Sequence, residues 1–257
     1  ESVKKRFDEV LGKRAPQFIS SIINLANSDA TLSKCEPMSI ISAAMIAATM
    51  DLPIDKNLGY AWLVPYQDKK TQTYKAQFQL GWKGYVQLAL RTAQYRSINV
   101  IPLYEGQLKK WNPLTEEIEI DFETRVSDAI THYCGYFELL NGFKKTVVWT
   151  REQIIEHAKK YSKSFHNENS PWKDPEKFEG MALKTVVRNM LSKWGILSIE
   201  MQEAYSRDVE AEEQPEAADE EYIDVDYTVN DEPEQEEEAV QVVDGQASDE
   251  SEQPTLV

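Results

Sequence analysis

No lysine or arginine follows Arg207. The 50 residues from Asp208 to Val257 carry 20 carboxylates, whereas the 207 residues before them hold 24 acids against 28 bases. The formal charge of −16 is therefore the sum of a body near +4 and a tail of −20. A run of like charge broken by Pro215, Pro233 and Pro254 repels itself and buries too little apolar surface to offset the entropy of ordering. The expected organisation is a folded domain over residues 1–207 and an acidic tail over residues 208–257, disordered from about Val209. Overall acidity then says nothing against a polyanionic partner, because the segment able to fold is basic.

Six Trp, twelve Tyr and eight Phe supply enough bulk for one core. No apolar run approaches the ~20 residues of a membrane span, and no signal-peptide pattern opens the chain. Cys35 and Cys134 are too few for a disulfide framework. The expected compartment is a reducing cytoplasm with no membrane contact. The first residue is Glu1 rather than Met, so a short N-terminal piece is expected to be missing.

The hydrophobic period changes twice along the body. Phe18, Ile22, Ile23 and Ala26 recur at helical spacing behind Pro16, and Met38 to Ala48 is apolar on nearly every side, the pattern of a central buried helix. Tyr60 to Tyr66 then reads as a strand, and Tyr74, Ala76, Phe78 and Leu80 alternate with Lys75, Gln77 and Gln79. Gly81 to Gln94 returns to a helical period. Further strands are expected at Ile98–Tyr104 and where Ile118, Ile120 and Phe122 alternate with acids. Asn141-Gly142 marks a hairpin turn, Thr150 with Gln153 a capping box, and Asp174-Pro175 the start of a long helix ending near Trp194. The fold class is α+β: a β-meander or hairpin sheet packed against a long helix, with flanking helices.

Signatures of covalent chemistry are missing. There is no phosphate-cradling G-x-x-x-x-G-K-[ST], no H-E-x-x-H and no paired C-x-x-C. His132, His157 and His166 lie far apart, and His157 and His166 sit among lysines, where a solvated or phosphate-adjacent role outweighs metal ligation. Glu119, Asp121 and Glu123 could serve a metal-dependent nuclease only if gathered on a metal pair; an outward solvated strand face is the plainer reading. No catalytic residue, metal ligand or cofactor is assigned.

Two helices carry basic stripes instead. At about 100° per residue, Lys177, Lys184 and Arg188 fall within about 40° of one another, beside an apolar arc of about 220° that runs from Phe178 to Leu191. Lys83 and Arg91 repeat the design on the shorter helix. Such a stripe is ordinarily the wet side of an amphipathic helix, but aromatics among the bases, such as Trp111 beside Lys109 and Lys110, favour nucleic acid. Gly81-Trp82-Lys83-Gly84 also matches the G-x-x-G that clamps a single strand in KH modules, leaving a KH-like binder without annealing activity as an alternative.

Several blocks in order, DLPIDKNLGYAWLVPY (Asp51–Tyr66), FQLGWKGYVQLALRT (Phe78–Thr92), INVIPLYEG (Ile98–Gly106) and MALKTVVRNMLSKWGILSIEMQEA (Met181–Ala204), resemble the RecT family of phage and prophage single-strand annealing proteins over about Phe7–Ala204. The resemblance implies an ATP-independent protein that coats single-stranded DNA as a homo-oligomeric ring or helical filament. It also implies annealing of complements through a duplex intermediate during recombination in a bacterial host. The expected partners are a 5′→3′ exonuclease and the host single-strand-binding protein. Annealing needs free base edges, so contacts should go to phosphates. Lys83, Arg91, Lys184 and Arg188 are the first candidates, with Lys56, Lys109, Lys110, Lys144, Lys145 and Lys177 behind them. The tail is expected to compete weakly with DNA for these bases.

Overall fold

The computed structural model describes residues 3–68, 72–168, 170–199, 201–203, 205–206 and 221–222. The tail expected to be disordered falls outside them, except for Glu221 and Tyr222, which form a short strand.

Three helices come first: α1 (Val3–Leu11), α2 (Ala15–Ser28) and α3 (Pro37–Thr49). Phe7 and Phe18 join α1 to α2 with ring centroids 5.8 Å apart. The all-round burial expected of α3 is not found. Ile40, Ala43, Ala44, Ala47 and Ala48 are buried, but Met38, Ser42 and Thr49 are exposed. Alanines on the buried side let α3 lie close against a neighbouring strand rather than at the centre of a bundle.

That strand belongs to a hairpin of β1 (Ala61–Asp68) and β2 (Thr73–Leu80), paired antiparallel from Ala61↔Leu80 to Asp68↔Thr73. Ala76, Phe78 and Leu80 turn to the main core, as the two-residue period demands. Trp62, Val64 and Tyr66 form a small cluster on the other face, with Lys75, Gln77 and Gln79 beside them by register. α4 (Trp82–Arg91) follows without a loop. The two glycines of the G-x-x-G sit where backbones touch: a Cβ on Gly81 would meet the Gly59 carbonyl oxygen at 2.1 Å, and one on Gly84 that of Tyr60 at 2.2 Å. Close packing of α4 on the preceding loop accounts for both glycines, and a phosphate clamp is not required.

β3 (Tyr95–Tyr104) enters a second sheet, and the chain then leaves it for a two-stranded arm, β4 (Leu108–Asn112) and β5 (Glu117–Ile120). β5 falls on the expected strand but ends early, and β4 was not expected. The alternation of Ile118, Ile120 and Phe122 stops at Ile120, because the Asp121 carboxylate accepts a hydrogen bond from the Glu123 N–H at 3.0 Å and turns the chain. Phe122 is left 61% exposed, and Glu119, Asp121 and Glu123 do not share a strand face. The second sheet is completed by β6 (Ile130–Leu139) and β7 (Lys144–Thr150) in the antiparallel order β3-β6-β7. Gly142 at φ 88° makes the expected turn between them.

α5 (Arg151–Tyr161) opens on both halves of the capping box: Gln153 N–H to Thr150 Oγ1 at 3.1 Å, and Thr150 N–H to Gln153 Oε1 at 3.0 Å. α6 (Pro175–Trp194) opens on Asp174, whose carboxylate accepts from the Glu176 N–H at 3.0 Å. Its Ala182, Val186, Val187, Met190 and Leu191 are buried against the second sheet and α4. Gly135 on β6 makes the close approach possible: a Cβ there would stand 3.0 Å from Val186 Cγ1 and 3.1 Å from Met190 Sδ. The last turn of α6 is tied down by Tyr95, whose hydroxyl accepts from the Ile196 N–H at 2.7 Å and donates to the Ile196 carbonyl at 3.1 Å. Buried side chains form one continuous core from Phe7 to Met201.

Gly135→Ala should cost about 1–3 kcal/mol by overpacking this seat. Urea unfolding followed by circular dichroism should give a lower midpoint with an unchanged slope; an unchanged midpoint would mean that α6 does not rest on Gly135.

Candidate nucleic-acid interface

α5 and α6 wall a cleft of about 490 Å³. On α5, His157, Lys160 and Tyr161 stand three and four residues apart and so share a face. On α6, Lys184, Arg188 and Asn189, then Ser192 and Lys193, form the stripe beside the buried one. Trp172 and Tyr205 complete the lining. The Arg188 guanidinium lies 5.2 Å from the Tyr205 ring centroid, and Lys160 Nζ lies 5.1 Å from that of Tyr161. Arg188 is half-buried over its ring, whereas Lys160 is exposed and keeps its charge at the water-facing rim.

A smaller slot opens between the loop before β1, the start of α4 and the first turns of α6. It is lined by Lys56, Trp62, Gln79, Trp82, Lys83 and Lys184, among others. Lys184 and Met181 line both cavities, so the two share a wall. Lys184 is only 9% exposed and occupies the junction. Lys83 Nζ is 5.6 Å from the Trp82 ring centroid. Asp29, whose carboxylate also accepts from the Thr31 and Leu32 N–H groups, holds Lys56 Nζ at 3.2 Å. Together the cavities form one trough bearing Lys56, Lys83, Lys160, Lys184, Arg188 and Lys193, and among the described residues no carboxylate lines it.

The trough unites four residues singled out from sequence: Lys56, Lys83, Lys184 and Arg188. The other candidates are placed elsewhere. Arg91 donates to the Met50 carbonyl at 2.6 Å and the Asp51 carbonyl at 2.7 Å, closing the C-terminus of α3. Lys177 is buried and pairs with Asp174 at 3.3 Å, so the ridge read from the helical wheel ends before the first turn. Lys110 pairs with Glu117 at 3.3 Å and Lys144 with Glu138 at 3.7 Å. Lys145 is bound by Glu116 and stands 3.9 Å from the Trp194 ring centroid, while Lys109 is exposed on β4. None of these six lines the trough.

Sequence reasoning missed Lys160, Lys193, Tyr161 and Tyr205. The spacing His157–Lys160–Tyr161 was the available signal, but it gains meaning only once α5 faces α6. Burial, and then the charges of Arg188, Lys193 and Lys160, push the His157 imidazole below the ordinary value of 6.5. Its ring meets Trp149 edge-on at 5.6 Å and Tyr161 at 4.7 Å. His132, also lowered by burial, lies on β6 and does not line the trough. Among the described residues no group of three or more His, Cys, Asp or Glu is placed to hold a metal ion, and no helix is long and apolar enough to cross a membrane.

A sequence model of the RecT family matches residues 16–225, reaching past the folded body into the acidic segment. The chain is 60% identical to the protein YqaK of Bacillus subtilis (strain 168) over 219 residues, 85% of this chain and 73% of that protein. It is 31% identical to Protein RecT of Escherichia coli (strain K12) over 201 residues, 77% of this chain and 72% of that protein.

Two outcomes follow for the trough and its rejected member. A bound polyanion offsets the charges of Arg188, Lys193 and Lys160 that add to burial in lowering the His157 pKa, so binding favours proton uptake and affinity for an anionic chain should rise as pH falls from 8 to ~5.5. Fluorescence anisotropy at constant ionic strength should show this trend weakened in His157→Gln; equal pH profiles would remove His157 from the site. Arg91→Ala should lower stability by about 1 kcal/mol and leave oligonucleotide affinity unchanged.

Proposed function

The chain belongs to the RecT family, and from that premise we propose that its trough grips the sugar–phosphate backbone of single-stranded DNA and leaves the bases free to pair. The observation that carries this reading is a row of six cations on one loop and three helices, Lys56 among them already paired with Asp29. Helices hold such charges at fixed spacing, which positions a strand without reading its sequence. A platform that stacked every base would compete with the incoming complement, whereas phosphate contacts leave the pairing edges exposed. The protein anneals complementary strands in recombination, and the step needs no nucleotide because pairing of complements is itself downhill.

Six phosphate contacts set a salt slope of about −4 for single strands, too weak for one protomer to persist alone at physiological salt. Homo-oligomerisation along the strand multiplies these contacts through effective concentration. A 5′→3′ exonuclease that exposes the strand and the host single-strand-binding protein that first covers it are the partners this role calls for, in the cytoplasm of a bacterial host.

Lys184→Ala with Arg188→Ala should reduce the slope from about −4.2 to about −2.8, since each contact contributes about 0.7. The same pair should slow pairing of complementary oligonucleotides without nucleotide. If the folded double variant keeps both slope and annealing rate, the trough is not the DNA path. Tight binding without any acceleration of pairing by the unaltered protein would instead support a single-strand binder of the KH-like kind.

A further inference from the structure

β1 is the middle strand of its sheet, in the order β2-β1-β8, where β8 is Glu221–Tyr222. The pairing is antiparallel, with Tyr66 opposite Tyr222 and Gln67 opposite Glu221. Without β8 this stretch of β1 would be a sheet edge with unpaired N–H and carbonyl groups, a ready acceptor for an extended segment. A tail acting only through solubility has no need of such a seat.

The seat adjoins the trough. The Tyr66 hydroxyl accepts a hydrogen bond from the Gln79 side-chain amide, and Gln79 lines the smaller slot with Lys56, Lys83 and Lys184. Trp62, which lines the same slot, is four residues from Tyr66 along β1, about 13 Å. Around the docked pair the sequence is densely acidic: Asp219, Glu220, Glu221, Asp224 and Asp226 lie within eight residues. The RecT family match runs to residue 225 and so includes the docked strand.

We propose that the edge of β1 is a dock for the chain's own residues 221–222, and that this pairing makes the acidic sequence around it a tethered, displaceable competitor of DNA for the basic trough. The proposal rests on the trough being the DNA path and adds its regulation. Two paired residues make a weak ladder, and the electrostatic part is screened over about 8 Å at 0.15 M salt against about 30 Å at 0.01 M. The tether keeps the competitor at high effective concentration regardless of protein dilution. Such a competitor turns away short or isolated polyanions, while a long strand engaging several protomers displaces it.

Two full-length variants separate the ladder from the charge. Tyr222→Pro removes a backbone donor and pins φ while keeping every carboxylate. Changing Asp219, Glu220, Glu221, Asp224 and Asp226 together to the corresponding amides keeps the backbone and removes the local charge. Hydrogen exchange of the peptide covering residues 61–68, without DNA, reads the dock; oligonucleotide affinity at low and physiological salt reads the competition. Tyr222→Pro should speed exchange in that peptide and raise low-salt affinity several-fold, with the gain shrinking at physiological salt. The amide variant should raise affinity likewise. Unchanged exchange in Tyr222→Pro overturns the dock, and faster exchange without an affinity gain overturns the competition. An affinity gain in Tyr222→Pro that the amide variant lacks overturns the role of charge. Should all three proteins fail to bind oligonucleotides, the DNA reading falls, while the exchange measurement still reports on the dock by itself.

Discussion

Burial of one side of α6 against β3, β6 and β7 decides where its remaining stripe can point. Val186 and Met190 press on Gly135, so rotation of the helix about its axis would drive side chains into β6. With that rotation set, Lys184 and Arg188 must face α5 and the start of α4. Those elements bring Lys160 and Lys83, which sit on the flanks of their own buried faces. The trough is thus a by-product of three amphipathic helices whose wet edges converge. The chain just after α6 is held in turn by the Tyr95 hydroxyl, bonded to the Ile196 backbone.

Local chemistry was the legible part of the fold. The capping box at Thr150, the Asn141-Gly142 turn and the Asp174-Pro175 helix start each rest on contacts within four residues, and each stands where sequence placed it. What escaped was set by partners distant in sequence. β4 has no strong period of its own, and the alternation that marked β5 stops after Ile120, where Asp121 hydrogen-bonds two residues ahead. Burial of α3 was overestimated because an apolar run does not reveal how much of a helix has a neighbour to cover it.

The candidate site divides in the same way. A helical wheel places charges on one helix correctly but cannot tell a cation that faces another wall from one consumed by structure. Lys177 lies on the same wheel position as Lys184 and is spent on Asp174 in the first turn. Arg91, alike in sequence to Lys83, reaches back to the carbonyls that end α3. Conversely, Lys160 and Lys193 look like ordinary surface lysines until α5 and α6 are set face to face. Basic spacing pointed to the helices; only tertiary packing shows which cations line the trough.

Gathering cations this closely works against the folded state. Lys184 is nearly withdrawn from water, and burying a charge is unfavourable unless its surroundings compensate. His157 registers the same field, held neutral by burial and by three cationic neighbours. A site with this repulsion is relieved by any polyanion, so intrinsic selectivity for a long strand over a passing short anion is poor. Proteins commonly accept such local instability where function needs it. As proposed, the backbone pairing of Glu221–Tyr222 with β1 tethers acidic sequence to the same body, so that anionic charge is always present and never tight. The repulsion that makes the trough avid and the tail that tempers it are then two parts of one electrostatic balance, and the marked charge division at Arg207 is its trace in the sequence.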